Sequence, residues 1–229
     1  MLGVVVNAVA IIIGTLLGLL FKKGISAKIN SAIMMGVGLC VIFIGVSGML
    51  QDINPIIAVI SIVPGSLIGA LIDIDKNLTR LGDCLSSKFA KKGENNFTKG
   101  FVSASLLFCV GAMAITGSIS AGLTGDNSIL YTKSILDFIA SIMFASAFGI
   151  GVMFSAVPLV LYQGSISLCA GFLEPVLSDG AIGAITCVGS IIIMGLGLNI
   201  VEVSKFKIAN YLPAILLAPF VYYLFQLLM

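Results

Sequence analysis

Apolar residues run through this chain in long blocks that short polar clusters separate. A helix needs about 20 apolar residues, at 1.5 Å rise each, to cross a hydrocarbon layer about 30 Å thick. Eight blocks meet that requirement: Leu2 to Phe21, Ala32 to Leu50, Pro55 to Ile72, Phe101 to Leu123, Ser134 to Met153, Ala156 to Phe172, Ala181 to Ile200 and Ile208 to Leu227. Between Ile135 and Leu173 only Gly149, Gly151, Ser155 and Pro158 mark a break, so a tight hairpin and a pair of broken helices both fit. In the longest loop, residues 73–99, Leu78, Leu81, Leu85 and Phe89 recur at helical spacing among Lys76, Arg80, Lys88, Lys91 and Lys92, before Gly93 to Asn96 end the pattern. That predicts an amphipathic helix lying on the membrane surface. The expected fold is therefore all-α: a polytopic transmembrane bundle of about eight spans, with a short cytoplasmic amphipathic helix between spans three and four. Residues 1–229 form a single integral-membrane domain in this reading.

Composition and charge sharpen the picture. The 229 residues are 59% hydrophobic and 10% charged, with a mean hydropathy of +1.19; soluble domains carry about 25% charged residues. Of the 12 Lys and Arg, 11 fall in alternate loops: Lys22, Lys23, Lys28, Lys76, Arg80, Lys88, Lys91, Lys92, Lys99, Lys205 and Lys207. The positive-inside rule puts those loops in the cytoplasm and both termini outside. The opposite loops are expected to hold Lys133 with Asp52, Asp126, Glu174 and Asp179. A single helix across residues 135–173 would move Lys205 and Lys207 outside, so charge argues for two spans there. No basic segment precedes Leu2, so the first block reads as an uncleaved helix. Cys40, Cys109, Cys169 and Cys187 fall in spans and Cys84 in a cytoplasmic loop, with no disulfide or metal spacing among them.

Enzymatic chemistry finds little to use. The chain has no His, hence no imidazole base, no Ser-His pair and no HExxH zinc motif. It lacks a Gly-rich loop ending in Gly-Lys-Ser/Thr, and only one carboxylate, Asp137, falls in a predicted span. No catalytic residue, cofactor or metal is expected. Topology accounts for the basic residues, which leaves nucleic acid without a footprint. The expected partners are the lipid bilayer and a small solute or ion. Gly14 and Gly18, Gly65 and Gly69, and Ala145 and Gly149 are small residues four apart. They suit close helix packing within one bundle or in a homo-oligomer.

Polar groups inside the spans carry what functional information there is, because hydrocarbon penalises them unless they face a partner or a cavity. Gln163, beside Tyr162, is the leading pathway candidate: its amide can donate and accept without imposing charge. Asp137 could bind a cation or relay a proton, or could simply pair with Lys133 one turn before it. Asn7 and Asn199 pose the same choice in the first and seventh spans. Thr116, Ser118, Ser120, Ser155, Ser165 and Ser167 could supply oxygen ligands, or bond the preceding turn of their own helices. Thr116 to Ser120 matches Gln163 to Ser167 at four of five positions, apart from the first. A weaker echo relates Ile11 to Ile13 and Asn30 to Ile191 to Ile193 and Asn210. Both bear on internal duplication, a common device in transporters.

The run Phe108 to Ile119 (FCVGAMAITGSI), Lys133 with Asp137, and Phe154-Ser155-Ala156 through Tyr162-Gln163-Gly164 together resemble the bacterial membrane-protein family called domain of unknown function 554. Asn7, Gly195 to Asn199 and Leu212-Pro213 extend the resemblance over essentially the whole chain. It implies a bacterial inner-membrane location and a transport role, and supplies no reaction or site map. The functional expectation is a secondary transporter or channel-like protein for a small solute or ion. The alternative is a non-transporting scaffold or regulatory membrane subunit acting through protein partners.

Overall fold

The computed structural model describes residues 1–22, 27–50, 53–90 and 96–228. Of the residues used in the loop-charge count, Lys23, Asp52, Lys91 and Lys92 lie outside the described set, as do Gly93 to Asn95 at the end of the amphipathic pattern. The elements are α1 (Leu2–Lys22), α2 (Ala27–Met49), α3 (Pro55–Ile72), α4 (Ile74–Phe89), α5 (Phe97–Cys109), α6 (Ala112–Leu123), α7 (Ser128–Phe148), α8 (Ala156–Leu168), α9 (Ala170–Leu173), α10 (Asp179–Ile200) and α11 (Leu212–Leu228). Short 3₁₀ turns, Ile150–Ser155 and Ile208–Tyr211, lead into α8 and α11. Among the described residues there is no strand.

Seven segments are individually long and apolar enough to span a membrane, and the α5–α6 pair, bent by 61° at its break, is a candidate eighth. Packing decides whether that pair crosses or turns back. The Gly3 amide donates to Asn127 Oδ1 at 2.8 Å, Gly14 lies against Phe138 and Ser141, and Gly18 against Ile142 and Ala145. Both sequences advance together, so α1 and α7 run parallel. After three crossings the chain reaches the face opposite its start; a re-entrant hairpin would make α7 antiparallel to α1. The pair therefore reads as a span of its own, which makes eight candidate spans among the described residues. Elsewhere, Gly45 against Met194 and Gly48 against Ser190 make α2 and α10 antiparallel, and Gly65 against Ala214 and Gly69 against Asn210 do the same for α3 and α11.

Local signals explain the ends. Asn54 Oδ1 accepts from the Ile56 amide at 3.0 Å ahead of Pro55, a favourable start for α3. Asp73, left-handed at φ 52°, turns the chain directly from α3 into α4. Helix α4 is the expected amphipathic element: Gly82 sits against Thr98 and Phe101 of α5, Thr98 Oγ1 donates to Asp83 at 2.7 Å, and the Phe89 ring meets Phe154 at 4.9 Å. Leu81, Lys76, Arg80 and Lys88 point outward. Span α10 is the most enclosed, with 67% of its apolar window buried, and α11 is the most peripheral at 17%.

Three expected boundaries change. The fourth span begins at Phe97 and is two half-helices, because Val110 and Gly111 leave the α-helical conformation. The fifth begins at Ser128, six residues early, which moves Lys133 from a loop into the helix. The join after it is a 3₁₀ turn begun at Gly149 (φ 92°), and the sixth α-helix stops at Leu168, with the four-residue α9 after Cys169. Moving Lys133 removes the one basic residue that stood against the loop-charge bias.

Candidate functional site

The break in the fourth span makes two helix ends meet at Cys109 to Ala112, which are half-buried. The Val110 amide closes the last turn of α5 on Leu106 at 3.1 Å, and Gly111 then adopts φ 146°, ψ 153°, a conformation restricted essentially to glycine. No side chain caps the amino end of α6. The carboxyl end of α5 and the amino end of α6 thus bring the negative and positive poles of two helix dipoles together across two residues.

Beside this break lies a buried polar cluster. Lys133 and Asp137, one turn apart on α7, form an ion pair with side chains 8% and 10% exposed. By helical rise they lie roughly 8 and 14 Å from the first residue of α7. Asn7 of α1 donates its amide to the same carboxylate oxygen, Asp137 Oδ2, at 2.9 Å. The second oxygen, Asp137 Oδ1, has no partner among the described residues, and Asn7 Oδ1 is buried without one. An ammonium donates three hydrogens, so Lys133 retains two beyond the ion pair. Cys109, the last residue of α5, and Tyr162 of α8 line the same cleft beside Val110.

Gln163 belongs to the buried stripe Ala156, Leu159, Gln163 and Ser167 that α8 turns toward the bundle. It is fully buried, yet neither Oε1 nor Nε2 finds a partner among the described residues. Thr15 Oγ1 on α1 is in the same position. Each such group costs about 1–3 kcal/mol.

The other candidates go elsewhere. Thr116 donates to the Ala112 carbonyl, Ser118 to Ala114 and the exposed Ser165 to Leu161, each within its own helix. Asn199 caps the end of α10: its Nδ2 donates to the Phe206 carbonyl at 2.7 Å, and its Oδ1 accepts from the Ser204 hydroxyl and the Phe206 amide. The helices that carry the repeated pentapeptides touch near their ends, where Gly122 of α6 packs on Ser167 of α8 and on Ala170 just beyond it. Sequence reasoning missed Cys109 and treated Lys133 only as a structural partner; Gly111 within an apolar run was the available signal for the break.

Two cavities approach the centre. A polar vestibule of about 380 Å³ opens where α4, the start of α5 and the end of α10 gather, lined by Asp75, Asp83, Lys99, Ser103 and Asn199. An apolar cleft, also about 380 Å³, runs between α8 and α11 to Cys109, Val110 and Tyr162. Leu106, itself buried, borders both. At the far face, the Ser128 amide and hydroxyl donate to Asp126 at 2.9 and 3.1 Å and hold its carboxyl below the usual range.

Eight candidate spans among the described residues, one of them interrupted, around a buried polar centre define a polytopic α-helical membrane protein. The chain belongs to the family described as Protein of unknown function (DUF554), whose model matches residues 2–223. It is 36% identical over 225 residues to the "Uncharacterized membrane protein YdfK" of Bacillus subtilis (strain 168), covering 96% of this chain and 95% of that one. It is 29% identical over 221 residues to the "Uncharacterized protein YqgA" of Escherichia coli (strain K12), covering 95% and 94%. No solved structure matches the chain.

Proposed function

We propose that the protein carries a small polar solute or ion across the bacterial inner membrane, through the centre formed by the α5–α6 break, Asn7, Lys133, Asp137, Tyr162 and Gln163. The carrying observation is the fully buried, unpartnered amide of Gln163. A structural amide would have found interhelical partners; an unpartnered one is the arrangement a passing ligand completes. The interrupted span supports the same reading, since broken helices at mid-membrane are a recurring way to offer backbone dipoles to a substrate. The vestibule at the face carrying Lys76, Arg80, Lys99, Lys205 and Lys207 is the cytoplasmic mouth in this reading, which places both termini outside. No residue is assigned a bond-making role.

Purified protein in liposomes loaded with a labelled solute panel tests the proposal. Wild type is expected to exchange at least one solute, and Gln163→Met to lose that exchange while remaining folded. Equal flux in both would remove Gln163 from the pathway; no flux by wild type across amino acids, sugars, organic acids and inorganic ions would reject transport.

A further inference from the structure

We infer that the centre takes a net-neutral dipolar solute, an amino-acid-type zwitterion bearing an ammonium and a carboxylate, in preference to a bare ion; this rests on the transport reading above. The free groups of the centre are balanced in sign. Lys133 and Asp137 sum to zero charge, and each still has bonding capacity: two ammonium hydrogens on one side, the Oδ1 oxygen on the other. A bare cation at Asp137 Oδ1 would meet a carboxylate already compensated by Lys133, and a bare anion at Lys133 an ammonium already compensated by Asp137. Either would leave net charge in a buried, low-dielectric site, which is costly.

A zwitterion meets both partners at once. Its carboxylate takes the free Lys133 hydrogens and its ammonium takes Asp137 Oδ1, so no net charge is added. The remaining groups show the same balance. Asn7, bonded to Asp137 through one amide hydrogen, keeps Oδ1 as a free acceptor and its second amide hydrogen as a donor. The break adds the two opposed helix poles at Cys109 and Ala112. Every component is dipolar and none has surplus sign.

The test is a thermal-shift titration of the purified full-length protein. One set of ligands is the twenty amino acids and glycine betaine; the other is NaCl, KCl and sodium phosphate at matched ionic strength. A ligand bound to the folded state alone raises its melting temperature with concentration. The expected result is a saturable rise with at least one zwitterion and none with the bare ions. The double variant Lys133→Met/Asp137→Leu keeps a cooperative melt but needs at least about tenfold more zwitterion for the same rise, because two charge-assisted bonds are lost. A saturable rise with a bare ion and none with zwitterions would overturn the inference and leave transport standing. So would a zwitterion response unchanged in the double variant. Response to neither set would overturn the inference, and absent flux in the liposome panel would then reject the transport reading separately.

Discussion

Replacing Gln163 by Met is expected to make the protein more stable and inactive at once. Methionine fills nearly the same volume, so packing along the Leu159, Gln163, Ser167 stripe should survive. What changes is that two buried polar atoms without partners disappear. At about 1–3 kcal/mol per unsatisfied group, and with part of that relieved by relaxation, a gain of roughly 1–3 kcal/mol is reasonable. For a chain of this size that corresponds to about 2–4 °C in Tm per kcal/mol. The assay is a melting curve in a fixed detergent, read by intrinsic tyrosine fluorescence or circular dichroism, alongside flux in liposomes from the same preparation. A rise in Tm with loss of flux identifies the amide as a functional group retained against stability. A fall in Tm of several degrees would refute the reasoning, since it would show that the amide holds the bundle together through partners.

Three further predictions concern the surrounding structure. Lys133→Met leaves the Asp137 carboxylate buried with only Asn7 and should cost about 3–5 kcal/mol, whereas Lys133→Met/Asp137→Leu should come back close to wild type; a double-mutant cycle in melting temperature checks this. Gly111→Ala forces a side chain into a backbone region near φ 146°, and should cost about 1–3 kcal/mol in the same melt. Asp126 has a lowered folded-state pKa, so its hydrogen bonds to Ser128 are present above the ordinary carboxylate value and are lost as pH falls through the lowered one; a carboxyl NMR titration should give a midpoint below that of an unstructured aspartate, and Ser128→Ala should raise it.

The candidate spans were readable from the apolar blocks because hydrocarbon thickness dictates block length, whatever the neighbours do. Helix α4 was readable for a related reason: Leu78, Leu81, Leu85 and Phe89 recur at the period of a helix with one apolar side. The bend at Val110 and Gly111 was marked only by a glycine in a chain with 26 of them, and hydropathy averages over a two-residue interruption whose flanks are equally apolar. Lys133 looked like a loop residue because a charge was taken to end the span; Asp137 and Asn7 allow it to stay inside. The pairing of Asn7 with Asp137 needs α1 and α7 to be parallel neighbours, which no local pattern records. Asn199 shows the opposite limit: its three bonds are local, to residues five and seven positions on, and the amide sits at the last turn of α10. The burial of Gln163 was readable; that its amide would find no partner was not.

The most direct test of a pathway at the broken helix uses its own thiol. In a variant retaining Cys109 alone, with Cys40, Cys84, Cys169 and Cys187 replaced by Ala, a membrane-impermeant maleimide is applied to sealed vesicles of each orientation. The account predicts that Cys109 is labelled from at least one aqueous side, and that a transported solute slows the labelling. Labelling that appears only after denaturation would show the centre to be sealed structure and contradict the pathway.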